Sequence, residues 1–214
     1  MKTILCFGDS NTWGCNPLGG RFDHKTRWPM AMKILLNEGC PTNDPDFWII
    51  EEGQNGRTTC REDFVDGDRN GFRHIIPVLE SHQPLDMVVV MLGTNDLKPR
   101  FSPVPLDIAL GVKKIVIAIQ NSRTGHNNIA PKVLVICPPP TVDAPAFKDM
   151  FGDASIELSK QLPPFYRRIT EECGVLFLNA GEVIQSSKTD GIHFDAEEHL
   201  KLAKAVAEIV REKA

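Results

Sequence analysis

Five short runs of nearly unbroken apolar residues, separated by stretches of helical periodicity, constrain this chain more than any other feature. They fall at 3–7, 47–51, 87–92, 133–137 and 175–178, and the third reads Met-Val-Val-Val-Met-Leu. A strand exposed on one face alternates apolar with polar residues, whereas one covered on both faces has no need to, so these runs predict a parallel sheet enclosed by helices. The intervening spacing predicts helices over 28–37, 71–81 and 106–121 and a helical segment within 156–173. After Asp195, the residues Leu202, Val206, Ile209 and Val210 recur at helical spacing, and Asp195 with Glu198 forms a candidate capping box for a last helix. Alternating strand and helix predict a three-layer α/β/α sandwich with a five-stranded parallel sheet. With 214 residues and no repeat, linker or low-complexity tract, the expectation is a single domain over 1–214.

Charge narrows the classes of partner. A formal net charge of -4 provides no extended positive field for counterion release, so no nucleic-acid partner is expected. The stretch 108–119 is the nearest approach to a membrane span, but two lysines interrupt it, and none is expected. The apolar start, Met-Lys-Thr-Ile-Leu-Cys-Phe, is too short for a signal-peptide core, which predicts that the mature protein begins here. Six scattered cysteines without a Cys-x-x-Cys pair predict reduced thiols in cytoplasm, with neither a disulfide framework nor a zinc site.

The residues following the strands carry the chemistry. Gly8-Asp9-Ser10-Asn11 follows the first, Gly53-Gln54-Asn55-Gly56-Arg57 the second and Gly93-Thr94-Asn95-Asp96 the third, while Asp190-Gly191-Ile192-His193 lies beyond the fifth. In an open parallel sheet these loops share the carboxyl edge, where ligand sites form. Taken singly, each has a plain structural explanation in turn or capping chemistry. Together they supply a hydroxyl nucleophile, an imidazole base, an orienting carboxylate and an amide donor, the parts that acyl transfer requires.

In order and spacing, Gly8-Asp9-Ser10, Gly56, Gly93-x-Asn95-Asp96 and Asp190-x-x-His193 resemble the four blocks of the SGNH (GDSL-type) hydrolases. Thr12-Trp13-Gly14, Arg57-Thr58-Thr59, the run from Pro105 to Gly111 and Phe194 extend the resemblance towards the arylesterase/acyltransferase subgroup. The resemblance implies a flavodoxin-like sheet, a serine nucleophile working without a cofactor or metal, and small-molecule esters as substrates. It also implies transfer of the acyl group to alcohols or peroxide, and homo-oligomers such as relatives form. Two residues depart from the pattern: Asn11 stands where the GDSL name expects leucine, and Cys15 where a relative carries an aromatic side chain. Both are expected to alter the pocket wall.

On this reading Ser10 is the nucleophile, His193 the base that later protonates the leaving alcohol, and Asp190 the residue that orients the imidazole. The resemblance places the oxyanion hole at the backbone of Ser10 and Gly56 and the amide of Asn95. Asp9 and Asp96 are read as acceptors that shape their loops, and Arg57 as a brace acting through carboxylates such as theirs. Candidates for the substrate pocket are Trp13, Thr94, Phe147, Phe151, Ile192 and Phe194, with Lys98 at its mouth. The stiff segment after Pro138 would overhang it. Three alternatives stand beside this one. Asp9, Asp96, Asp190 and His193 would serve a metal-dependent phosphoesterase, although no closely spaced ligand pair is present. A binding module would keep the pocket with an inert Ser10, and a carbohydrate acetylesterase would share the mechanism but act on a different ester.

Overall fold

The computed structural model describes residues 1–145 and 148–214. Its five strands are β1 (Lys2–Gly8), β2 (Phe47–Gly53), β3 (Met87–Met91), β4 (Lys132–Cys137) and β5 (Leu176–Asn179). All neighbours pair in parallel, in the order β2-β1-β3-β4-β5. This is the flavodoxin-like arrangement, with the order of connection reversing at β1 and β3. β1, β3 and β4 are buried almost throughout, as their unbroken apolar runs require. β5, read as covered on both faces, is only half-buried because it lies at the sheet edge.

Alternate residues of the strands supply two cores. Leu5, Phe7, Val88, Val90 and Val135 face α3 (Gly71–His82), α4 (Pro105–Gln120) and α7 (Leu162–Cys173), burying Leu79, Ile115 and Ile169 among others. Ile4, Cys6, Met87, Val89 and Ile136 face α2 (Trp28–Leu36) and α8 (Ala196–Lys213), where Trp28, Met32, Leu202 and Val206 are buried. Each strand therefore contributes to both cores through its period of two, which is why no polar face was visible in the sequence.

Three short helices complete the order: α1 (Ser10–Trp13), α5 (Lys148–Phe151) and α6 (Ala154–Lys160). The segment within 156–173 is divided between α6 and α7, with a proline in the first turn of α7, where a missing N–H costs nothing. The capping box is not formed. Asp195 sits at the N-cap without a side-chain bond to the helix and instead accepts from Ser187 Oγ at 2.8 Å, while Glu198 accepts from the Gln185 N–H at 2.9 Å. These carboxylates fasten the loop that precedes the helix. All six cysteines are free, and no described helix is long and apolar enough to cross a membrane.

Candidate active site

The turn after β1 is held by Asp9, the N-cap of α1, whose carboxylate accepts the Asn11 N–H at 3.0 Å. Ser10 therefore occupies the first helical position, where its own N–H has no acceptor within the helix. The loop beyond β5 is fixed separately: the His193 carbonyl accepts the Ser187 N–H at 2.7 Å, and the Gly191 carbonyl accepts the Val142 N–H at 2.9 Å.

These two loops meet at His193. Its Nδ1 lies 2.6 Å from Asp190 Oδ2 and its Nε2 lies 3.0 Å from Ser10 Oγ. Asp190 Oδ1 meanwhile accepts the N–H groups of Ile192 (3.0 Å) and His193 (2.9 Å), so one carboxylate shapes the turn and holds the ring together. A carboxylate beside Nδ1 places the proton there in the neutral ring and leaves the Nε2 lone pair towards the serine hydroxyl. Burial raises the Asp190 carboxyl, but the hydrogen bonds from His193 and Ile192 outweigh it and hold it below the usual range. For His193, burial opposes the charged form. Bonds with Asp190 and Cys15, and their charges, prevail and hold the imidazole up to about 9. An imidazole held this way can take a proton from a hydroxyl and stabilise the cation so formed.

The turns after β2 and β3 bring amide donors beside this chain. Gly56 has φ +78°, a conformation L side chains rarely adopt, and its N–H makes no hydrogen bond among the described residues. The Asn95 amide donates one N–H to the Arg57 carbonyl at 3.2 Å, which fixes the side chain and leaves its second N–H available at the cavity. Gly93 is required for the turn that positions it. Its φ is +121°, and a Cβ there would stand 2.1 Å from the Tyr166 hydroxyl, which donates to the Leu92 carbonyl at 2.8 Å.

Asp9 and Asp96 act as loop-shaping acceptors. Asp96 takes the Thr59 N–H at 2.9 Å and its hydroxyl at 2.6 Å, and burial pushes both carboxyls up to about 6. Arg57 has the structural role expected of it, but through other partners. It feels the charge of Asp9 but makes no hydrogen bond to Asp9 or Asp96; it donates to the carbonyls of Gly8 (2.7 Å) and Glu52 and lies over the Phe7 ring. It ties the ends of β1 and β2 by bonds to backbone oxygens, whose places only the paired strands determine. Among the described residues no group of three His, Cys, Asp or Glu side chains is placed to hold a metal ion, so the metal-dependent alternative lacks a ligand set.

Ser10, Gly56, Asn95 and His193 open on a cavity of about 270 Å³. Of the pocket candidates, Phe151, Ile192 and Lys98 line it. Lys98 does so with its ammonium almost wholly buried, 2.9 Å from Asp66 and 3.6 Å from Asp63. Trp13 and Thr94 are not among the lining residues: Trp13 lies against the Arg21 guanidinium, and Thr94 is buried within the turn after β3. Phe194 is in the core, edge-on to His199, and Phe147 lies outside the described residues. Cys15 does form part of the wall, but Asn11 does not. Its amide is spent on the Ile192 carbonyl at 3.3 Å, joining the two loops. The sequence reading missed Asn55, Asp66, Arg69 and Met150, which also line the cavity. Asn55 adjoins Gly56 and was within reach of that reading, whereas the other three carry no local signal.

A parallel sheet in this order, with a hydrogen-bonded serine, histidine and aspartate at its carboxyl edge, defines a carboxylic ester hydrolase of the SGNH class. The chain belongs to the GDSL-like lipase/acylhydrolase family, whose model matches residues 6–200. It is similar to a solved carbohydrate acetylesterase from Sinorhizobium meliloti, with 38% identity, 99% of each chain covered and a TM-score of 0.91. It is equally similar to the aryl esterase of M. smegmatis, with 37% identity, 100% of each chain covered and a TM-score of 0.92. A curated acetylxylan esterase from Xylanibacter ruminicola is 22% identical over 97% of this chain, which spans 43% of that protein's length.

Proposed function

We propose that the chain is a serine esterase that hydrolyses small carboxylic esters, aryl or short-chain alkyl, through an acyl-enzyme on Ser10. The observation that carries this reading is the unbroken sequence of contacts from Asp190 through His193 to Ser10, opening on a cavity that Gly56 and Asn95 also line. Neutral His193 takes the Ser10 proton as Oγ attacks the ester carbonyl. The developing oxyanion accepts hydrogen bonds from the N–H groups of Ser10 and Gly56 and from the Asn95 amide. His193 then gives its proton to the departing alcohol, leaving the acyl group on Ser10. A water, or a second alcohol, is deprotonated by His193 and attacks the acyl-enzyme, which frees the acid or a new ester together with Ser10. The apolar side chains of Met150, Phe151 and Ile192 support some transfer to alcohols, since they favour an alcohol over water beside the carbonyl. We read residues 1–214 as one domain, and the six free thiols fit a reducing, cytoplasmic setting.

A second reading, carbohydrate acetylesterase, draws support from the charged residues that share the cavity and from the relatives whose names include carbohydrate acetylesterase and acetylxylan esterase. Turnover of phenyl acetate by wild type and Ser10→Ala tests the mechanism common to both. Removing the nucleophile of such a unit should cost about 10⁶ in kcat, and wild-type turnover should survive EDTA. Comparable turnover in the variant, or loss of activity in EDTA, would overturn the proposal. Adding a primary alcohol and measuring acetate and alkyl acetate together tests transfer, which acetate as the sole product would contradict.

A further inference from the structure

The cavity wall is divided by chemistry. Helix α5, beyond β4, contributes Met150 and Phe151 and the loop beyond β5 contributes Ile192, whereas the loops beyond β2 and β3 contribute Asp66, Arg69 and Lys98. The latter three are not equally engaged. Asp66 Oδ2 accepts from Lys98 Nζ at 2.9 Å and from Arg100 Nη2 at 2.6 Å, so both cations are committed to it and to Asp63. Asp66 Oδ1 has no partner among the described residues. Arg69 has no carboxylate partner among them either, and its one side-chain bond is a long one, Nη1 to the Asp68 carbonyl at 3.4 Å. Its Nε also stands close over Gly56, 3.1 Å from where a Cβ would be, which brings the guanidinium beside the oxyanion turn.

Asp63 is fully buried and accepts the N–H groups of Val65 and Asp66, so the loop is wound on its own carboxylate and pinned by Lys98 and Arg100. Asp66 is thereby fixed at the cavity before any ligand enters. A fixed acceptor and an uncommitted donor on one wall suit a hydroxyl group, which needs both. They suit a hydrocarbon poorly, since entry would strip water from two charged groups and return no bond.

Resting on the second reading above, carbohydrate acetylesterase, we propose that Asp66 and Arg69 are specificity-determining residues that bind hydroxyl groups on the alcohol portion of the ester, selecting acetates of polyols and sugars over hydrocarbon esters of the same size. The test compares kcat/KM for methyl glucoside acetylated at its primary hydroxyl with that for cyclohexylmethyl acetate, a matched ester without hydroxyls. It is run in wild type, Arg69→Leu and Asp66→Asn. Arg69→Leu leaves every bond of the Asp63–Asp66 loop in place, and Asp66→Asn retains a neutral acceptor.

The expected result is a wild-type preference for the glucoside, a fall of about tenfold in the glucoside-to-cyclohexylmethyl ratio in Arg69→Leu, the loss of one hydrogen bond to a charged group, and a smaller fall in Asp66→Asn, which exchanges a charged acceptor for a neutral one. An unchanged ratio, or equal losses on both esters, overturns the proposal, the latter assigning the residues to loop stability alone. Selective loss by Arg69→Leu of a hydrogen-succinate monoester, with the glucoside ratio intact, also overturns it by making Arg69 an anion site. Phenyl acetate turnover that depends on Ser10 is measured alongside, so that failure of the esterase reading is told apart from failure of this one.

Discussion

The imidazole of His193 acts as a base only when neutral, and its surroundings hold it up to about 9. At pH 7 a group with that value is neutral in roughly one molecule in a hundred, so kcat/KM should climb about tenfold per pH unit before levelling near pH 9. Among the described residues, Asp190, Cys15, Asp9 and His199 are titratable groups that interact with the ring. Burial pulls its pKa down, while Asp190 at 2.6 Å and Cys15 in the cavity wall raise it. Cys15→Ala removes one of the two side-chain bonds that raise the pKa and leaves Asp190 in place. The rising limb should therefore move below 9, towards the ordinary value of 6.5. Each unit of movement is about 1.36 kcal/mol in favour of the neutral ring and tenfold in its population at pH 7. The variant is thus expected to be more active than wild type at neutral pH and to match it near pH 10. The assay is kcat/KM for phenyl acetate from about pH 5.5 to 10, corrected for spontaneous hydrolysis. A limb that stays in place in Cys15→Ala, or a wild-type limb already near 6.5, refutes the reasoning.

Other residues yield independent expectations. Asn95→Ala should lower kcat by about 10²–10³ with a smaller change in KM, because the amide binds charge that develops in the transition state; raised KM at normal kcat would make it a substrate-binding residue instead. Gly93→Ala should cost more than the roughly 1–3 kcal/mol of backbone strain at φ +121°, because its Cβ also meets the Tyr166 hydroxyl. Urea denaturation measures this loss, and adding Tyr166→Phe should recover part of it. Lys98→Met removes one partner from a buried ion pair and should cost about 3 kcal/mol, the low end for such losses, since Arg100 remains 2.5 Å from Asp63. A urea midpoint equal to that of wild type would show that the ammonium adds nothing to the loop.

What the sequence revealed and what it concealed have physical causes. The strands were legible because burial on both faces leaves a continuous apolar run, and Met87–Met91 is such a run from end to end. Ser10, Asn95, Asp190 and His193 were legible as a set because each follows a strand and a parallel sheet delivers all such loops to one edge, whereas the place of Gly56 beside them came from the resemblance of its block to the SGNH hydrolases. The division near Leu162 went unread, although Pro163 and Pro164 there belong at a helix start. Pairings across the chain left no such trace. Lys98 is buried only because Asp63 and Asp66, more than thirty residues earlier, meet it. Asp195 and Glu198 matched a capping pattern, but acceptors choose among all nearby donors, and here they are taken by Ser187 and Gln185. Trp13 is adjacent to the site in sequence, yet its ring is taken up by Arg21.

The central claim is that Ser10 is the nucleophile that His193 activates. Treatment with a fluorophosphonate, followed by intact-mass analysis and peptide mapping, tests it most directly, since such reagents phosphonylate only an activated hydroxyl. The account predicts one adduct per chain, located on Ser10, formed faster as pH rises towards 9 and absent in Ser10→Ala. An adduct on another residue, or undiminished labelling of Ser10→Ala, would contradict it.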